Sequence, residues 1–187
     1  MYEIAADRSR TPRLLIQGAK MIPNDWSPDG KNLLYMDFEK GLPYLAVYSS
    51  ADGSRREVLL GAEGQFSPDG RWIAHVEAGI YTEVWIQRFP TGPRMQISSN
   101  GGAQAHWSHD GTELFYMAGD RKLMAVKFDR KTDTPGPPQV LFQTRVIAPN
   151  FTIRQYDVTA DSQRFVVNSL PPGGTVPLTL LTNWTSQ

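Results

Sequence analysis

The chain has 187 residues with a formal net charge of zero, 40% hydrophobic, 11% aromatic and 20% charged residues. That composition fits a folded chain with one sizeable core, and the neutral balance gives no broad pull toward nucleic acid or an anionic membrane. With no cysteine, disulfides, thiolate metal sites and a cysteine nucleophile are excluded, while the redox compartment stays open.

No apolar run approaches the roughly 20 residues that span a bilayer, so no direct membrane insertion is expected. The opening stretch MYEIAADRSR lacks the apolar core of a signal peptide. The expectation is a cytoplasmic chain, or a mature or truncated piece.

In chain order, YEIAAD (residues 2–7) reads as a strand and RLLIQG (13–18) as another. Then comes Trp26-Ser27-Pro28-Asp29-Gly30, followed by the apolar strand Asn32–Met36. Pro28 presets φ for the first corner of a tight turn. Asp29 tolerates the second corner and can accept nearby backbone N–H groups. Gly30 supplies the left-handed residue that turns the chain back. Each such motif predicts a hairpin with an aromatic at the end of its first strand. A third strand, Tyr44–Tyr48, and a fourth, Arg56–Leu60, complete the unit.

The unit recurs. Phe66-Ser67-Pro68-Asp69-Gly70 is followed by strands at 72–76, 83–87 and 94–98; Trp107-Ser108-His109-Asp110-Gly111 is followed by strands at 113–117, 123–127 and 139–143. The anchors Trp26, Phe66 and Trp107 lie 40 and 41 residues apart. A degenerate fourth copy, Val158–Ser162, comes later because of the Pro-rich insertion at 129–138 and the stretch 145–150. It lacks the aromatic, Pro and Gly, and is followed by strands at 164–168 and 178–182. Asp29, Gly30, Asp69, Gly70, Asp110 and Gly111 are therefore predicted to be structural turn residues.

Four short antiparallel strands per roughly 40–45 residues is the period of a propeller blade. The predicted class is all-β, a β-propeller of about four four-stranded antiparallel blades, either partial or small. The whole chain, 1–187, reads as one propeller domain. It divides into a half blade (1–18), blades at 19–61, 62–102 and 103–145, and a last incomplete blade (146–187). The repeated aromatics are expected to fill the space between blades. Two closures are open. Arg13–Gln17 can complete the last blade and close a four-bladed ring, or it can stay with residues 2–7. The second, preferred here, leaves edges to be completed by another chain or by further blades.

These motifs resemble the TolB-like, WD40-like (PD40) β-propeller repeat of bacterial proteins. The resemblance covers nearly the whole chain. It implies a protein-binding scaffold with protein partners, up to a membrane-associated complex, outside the cytoplasmic membrane. LTNW (181–184) also looks like the end of propeller domains appended to bacterial serine/threonine kinases, which implies a ligand-sensing receptor domain as an alternative. A propeller lyase or hydrolase is the enzymatic alternative.

The chemistry-bearing residues favour a non-enzyme. His106 and His109, with Asp110 beside them, have residue types that suit a metal site. Yet His109 stands where the other copies carry Pro28 and Pro68, at a turn corner. Asp29, Asp69 and Asp110, one per blade, are too far apart for paired acid–base work. No Gly-x-Ser-x-Gly nucleophile elbow occurs, and the Gly-rich stretch at 98–104 lacks the Lys-Ser/Thr of a phosphate loop. No catalytic residue, cofactor or metal is therefore expected. The loops between second and third strands are the remaining candidates for partner binding: Phe38 with Glu39 and Lys40, Tyr81 with Ile80, and Asp120 with Arg121.

Overall fold

The computed structural model describes residues 1–77, 81–147 and 153–170, and the backbone of 179–181. Ile80 lies outside the described residues. Among the described residues every regular element is a strand. β1 (Tyr2–Glu3) and β2 (Arg13–Leu14) pair with each other. The first full sheet follows as β3 (Met21–Trp26), β4 (Asn32–Asp37), β5 (Tyr44–Ser49) and β6 (Arg55–Leu60). The second is β7 (Ala62–Phe66), β8 (Trp72–Glu77), β9 (Glu83–Arg88) and β10 (Arg94–Gln96). The third contains β11 (Gly102–Trp107), β12 (Glu113–Ala118), β13 (Lys122–Asp129) and β15 (Gln139–Gln143), with the two-residue β14 (Thr134–Pro135) added on the far end of β13. The last is β16 (Tyr156–Val158), β17 (Phe165–Val167) and β18 (Thr179–Leu181). All pairs are antiparallel between sequence neighbours, apart from the short detour at β14.

β14 was not expected. It forms where the Pro-rich insertion doubles back on β13, with Phe128 opposite Pro135. Arg13–Leu14 pairs with Tyr2–Glu3, not with Thr179–Leu181, whose partner is β17.

The hairpin turns show why the motif carries a serine. Gly30, Gly70 and Gly111 have φ of 68°, 70° and 70°. Their N–H groups donate to the carbonyls of Ser27, Ser67 and Ser108. Each Ser hydroxyl donates to the motif Asp, at 2.6, 2.6 and 2.8 Å. Each also accepts the N–H of the residue that opens the second strand: Asn32, Trp72 and Glu113. The serines are buried, so this bonding satisfies groups that water does not reach. The degenerate copy keeps the design with other residues. Thr159 donates to Asp161 and accepts from Arg164 N–H, and Ser162 takes the left-handed position at φ 58°.

The middle strands β4, β8 and β12 are buried on both faces, whereas the outer strands β6, β10 and β15 are largely exposed. Alternate residues of each middle strand serve opposite neighbours. Leu33 and Tyr35 pack with Ile16, while Leu34 and Met36 pack with Phe66 and Ile73 of the next sheet. Trp72, Ala74 and Val76 pack with Trp107 and Leu114. Phe115 and Met117 pack with Tyr156 and Phe165. Face-to-face stacking of four-stranded sheets hides the second apolar face that each sheet would otherwise expose. Phe66 meets Phe89 edge to face at 5.1 Å, and Trp107 meets Phe128 at 5.3 Å.

One anchor departs from expectation. Phe66 and Trp107 are 4% and 3% exposed, but Trp26 is 38% exposed. The anchor of each sheet packs on the sheet before it. The short β1–β2 pair supplies no inner strand for Trp26 to lie against.

Candidate functional site: the axial cleft

The innermost strands β3, β7 and β11 carry a register shift at 23/25, 62/65 and 103/106. Such bulges twist a strand and leave its far edge without a ladder partner. Side chains from the preceding sheet fill that role. Asp25 Oδ2 accepts the N–H of Phe66 at 2.9 Å, and Gln65 Oε1 accepts that of Trp107 at 2.9 Å. A second series lies two residues earlier. Glu63 Oε2 accepts the N–H of Gln104, and Gln104 Oε1 accepts that of Gln155 at 2.9 Å. Glu63 and Gln104 both adopt left-handed backbone at the bulge, with φ of 56° and 61°. Tyr156 Oη donates to the Gln104 carbonyl at 2.7 Å.

These side chains border two cavities that share Asp25 and Gln65. One, of about 370 Å³, is walled by Ile22, Met36, Phe38 and Ile153 and holds Glu63, Gln104 and Arg154. The other, of about 600 Å³, opens toward the hairpin turns. Its rim takes one equivalent turn residue from each sheet, Pro28, Pro68, His109 and Ala160, with Trp26 beside them. The inner strands of successive sheets thus border both cavities, which adjoin at Asp25 and Gln65 and are together called the cleft below.

Its electrostatics follow from partial desolvation. Burial pushes the Glu63 carboxyl up to about 7, against the opposing Gln104 N–H and Arg154 charge. Burial also raises Asp25. His106 is held down to about 4, first by burial and then by Arg154, whose Nη1 lies 2.6 Å from His106 Nδ1. Asp157 stands 4.0 Å from the other ring nitrogen.

The predicted turn residues Asp29, Gly30, Asp69, Gly70, Asp110 and Gly111 sit in the hairpin turns described above. Asp29, Asp69 and Asp110 accept the N–H groups of Lys31, Arg71 and Thr112. Among the predicted loop residues, Phe38 is not an exposed anchor. It is half-buried against the core cluster that includes Leu34, Met36 and Phe66, and it lines the 370 Å³ cavity. Lys40 is exposed, pairs with Glu57 and lies over the Tyr44 ring at 5.1 Å. Tyr81 is exposed. Asp120 and Arg121 are exposed but shape their own turn: Arg121 has φ 69°, and its carbonyl accepts Thr144 N–H and Oγ1–H. Lys40, Tyr81, Asp120 and Arg121 do not line the cleft. His109 is exposed at the turn rim, apart from the His106–Arg154 contact. Among the described residues, no group of three or more His, Cys, Asp or Glu side chains is placed to hold a metal.

Sequence reasoning missed Asp25, Glu63, Gln65, Gln104 and Arg154. A signal was present for four of them. Counted back from the anchor, polar residues recur in strands at the same two places: Asp25, Gln65, His106 and Asp157, then Glu63, Gln104 and Gln155.

Comparisons with known proteins decide the architecture. The Tol-Pal system protein TolB of Xylella fastidiosa, strain M12, is 38% identical over 56 residues, 29% of this chain and 13% of that protein. The crystal structure of TolB from Acinetobacter baumannii superposes with a TM-score of 0.72 at 17% identity, over 97% of this chain and 46% of that one. The chain is a β-propeller array. The puromycin hydrolase S511A mutant, crystallised with PGG, also superposes, with a TM-score of 0.64 at 19% identity over 92% of this chain and 31% of that one. No protein-family profile matches. The propeller array therefore spans under half of each of these proteins, and the same fold serves TolB and a hydrolase.

Proposed function

We propose that this chain is a non-catalytic β-propeller scaffold that binds a protein partner, or docks as a subunit of a larger assembly. Contact is made at the open side of the first full sheet, beside the axial cleft. The observation that carries this reading is the exposure of Trp26 and Ile22, 38% and 48%, on a strand whose counterparts in the next two sheets are covered. Exposed aromatic and aliphatic side chains next to a polar cleft are the composition of an interface core with its rim.

Two features support the reading. The local sequence match is to a protein named for the Tol-Pal system. The polar groups of the cleft are committed to joining sheets, since Asp25, Gln65, Glu63 and Gln104 each hold a backbone N–H of the next one. The TolB-like resemblance supports work outside the cytoplasmic membrane.

The test is site-specific photocrosslinking in cells, with benzoylphenylalanine at position 26, at 22, and at the exposed outer-strand residue Val140. A discrete protein adduct from 26 and 22, absent from 140, is expected. Adducts from none of the three, or equally from all, would contradict the reading.

A further inference from the structure

The turn that joins β10 to β11, and so the second full sheet to the third, contains the one Asn-Gly step of the sequence, Asn100-Gly101. Asn100 is exposed and left-handed at φ 66°, and Gly101 follows at φ 100°. Glycine has no side chain to crowd its own nitrogen, so the atom after Asn100 is open to reaction with the neighbouring side-chain amide. Glu83 of β9 stands at that nitrogen: its Oε1 accepts the Gly101 N–H at 2.9 Å. Its Oε2 accepts the Ser98 hydroxyl, which in turn accepts the Val84 N–H at 2.8 Å. The carboxylate is thus held in place on both oxygens. The Asn100 amide side chain makes no hydrogen bond among the described residues and is free to turn.

The Asp-Gly steps of the hairpin turns are built differently. The N–H groups of Gly30, Gly70 and Gly111 donate to backbone carbonyls, which are weaker bases than a carboxylate. Their aspartates accept serine hydroxyls, and a carboxylate repels a nucleophile that a neutral amide admits. Among these four steps, Asn100-Gly101 alone joins a neutral electrophile to a nitrogen held by a carboxylate.

We propose that Asn100 is a self-modification site, where the folded chain converts the side-chain amide to a carboxylate with Glu83 as general base. The Gly101 nitrogen adds to Asn100 Cγ, and its proton passes to Glu83. The bond from Cγ to the side-chain nitrogen then breaks, and that nitrogen takes the proton and leaves as ammonia. Water opens the resulting cyclic imide at either carbonyl, giving aspartate or isoaspartate. The 2.9 Å contact is within the reach a general base needs. Either product sets a second negative charge beside Glu83. The isoaspartyl form also lengthens the main chain of a turn with little room: a β-carbon on Gly119 would lie 2.9 Å from the Asn100 carbonyl oxygen. The junction between the second and third full sheets should therefore loosen as the chain ages.

The experiment ages the full chain at neutral pH, folded and in denaturant, and follows residue 100 by acid peptic digestion and mass spectrometry, with isoaspartate read separately. The folded chain is expected to convert faster than the unfolded one. Glu83→Gln should slow the folded rate by about tenfold or more, since a positioned base commonly contributes beyond that. Asn100 preserved in the folded chain, equal rates folded and unfolded, or an undiminished rate in Glu83→Gln would overturn the proposal. Should Glu83→Gln lose its native fold, the comparison of folded with unfolded wild type decides alone.

Discussion

Pro28 packs against the turn of the following sheet: a β-carbon placed on Gly70 would lie 3.3 Å from Pro28 Cδ. Pro68 repeats the contact toward Gly111, again at 3.3 Å. The proline that presets one turn therefore also crowds the glycine of the next, so successive turns stack on one another. Gly70→Val should destabilise the fold through left-handed strain of about 1–2 kcal/mol, with the Pro28 contact adding to it. Chemical denaturation of the variant beside Gly53→Val, which has open space around it at φ 72°, separates the two contributions. Equal losses would mean that the inter-sheet contact adds nothing.

Ser162 provides the reverse test. It holds the left-handed position of the degenerate turn without being glycine. Ser162→Gly removes that strain and should stabilise by a few tenths to about 1 kcal/mol. A raised thermal midpoint is the expected readout. A lowered one would show that the serine side chain matters more than its backbone.

Much of the array was legible because its rules are local. Turn chemistry and a 40-residue period place the hairpins of the first three full sheets, and Thr159 with Asp161 rebuilds the fourth. The cleft was less legible because its bonds join residues about 41 positions apart, such as Asp25 to Phe66. The left-handed backbone of Glu63 has no sequence signature, since glutamate does not advertise positive φ. Phe38 looked like a loop anchor because it follows a strand; only its packing against the core cluster shared by the first two full sheets reveals it as a wall.

The inter-sheet bonds carry measurable stability. Gln65→Ala leaves the N–H of the buried Trp107 without its acceptor. A loss of about 1–3 kcal/mol is expected. Gln65→Glu should retain part of it, because a carboxylate can accept the same bond, as Asp25 does. A neutral effect of Gln65→Ala would mean that water replaces the side chain.

Glu63 makes stability depend on pH with a definite sign. Its carboxyl titrates near 7 in the fold, above the ordinary 4.5, because burial opposes ionisation. The folded chain then binds a proton that the unfolded chain has released, so this group's contribution falls as pH rises from about 4.5 to about 7. Glu63→Gln removes that slope. The midpoint difference, variant minus wild type, should be small at pH 5 and clearly positive at pH 8. His106 acts in the opposite direction as pH falls from 6.5 toward 4, and it is common to both proteins. A difference that is flat with pH would show that Glu63 titrates normally.

Partner engagement at the open side of the first full sheet is tested most directly by hydrogen exchange on the chain alone and on its captured complex. Protection on binding is expected at residues 21–26 of β3 and at residues 62–66 of β7, with the outer strands β6 and β15 unchanged. Protection confined to β6, β15 or the exposed turn at Asp120 and Arg121, with β3 exchanging as before, would contradict it.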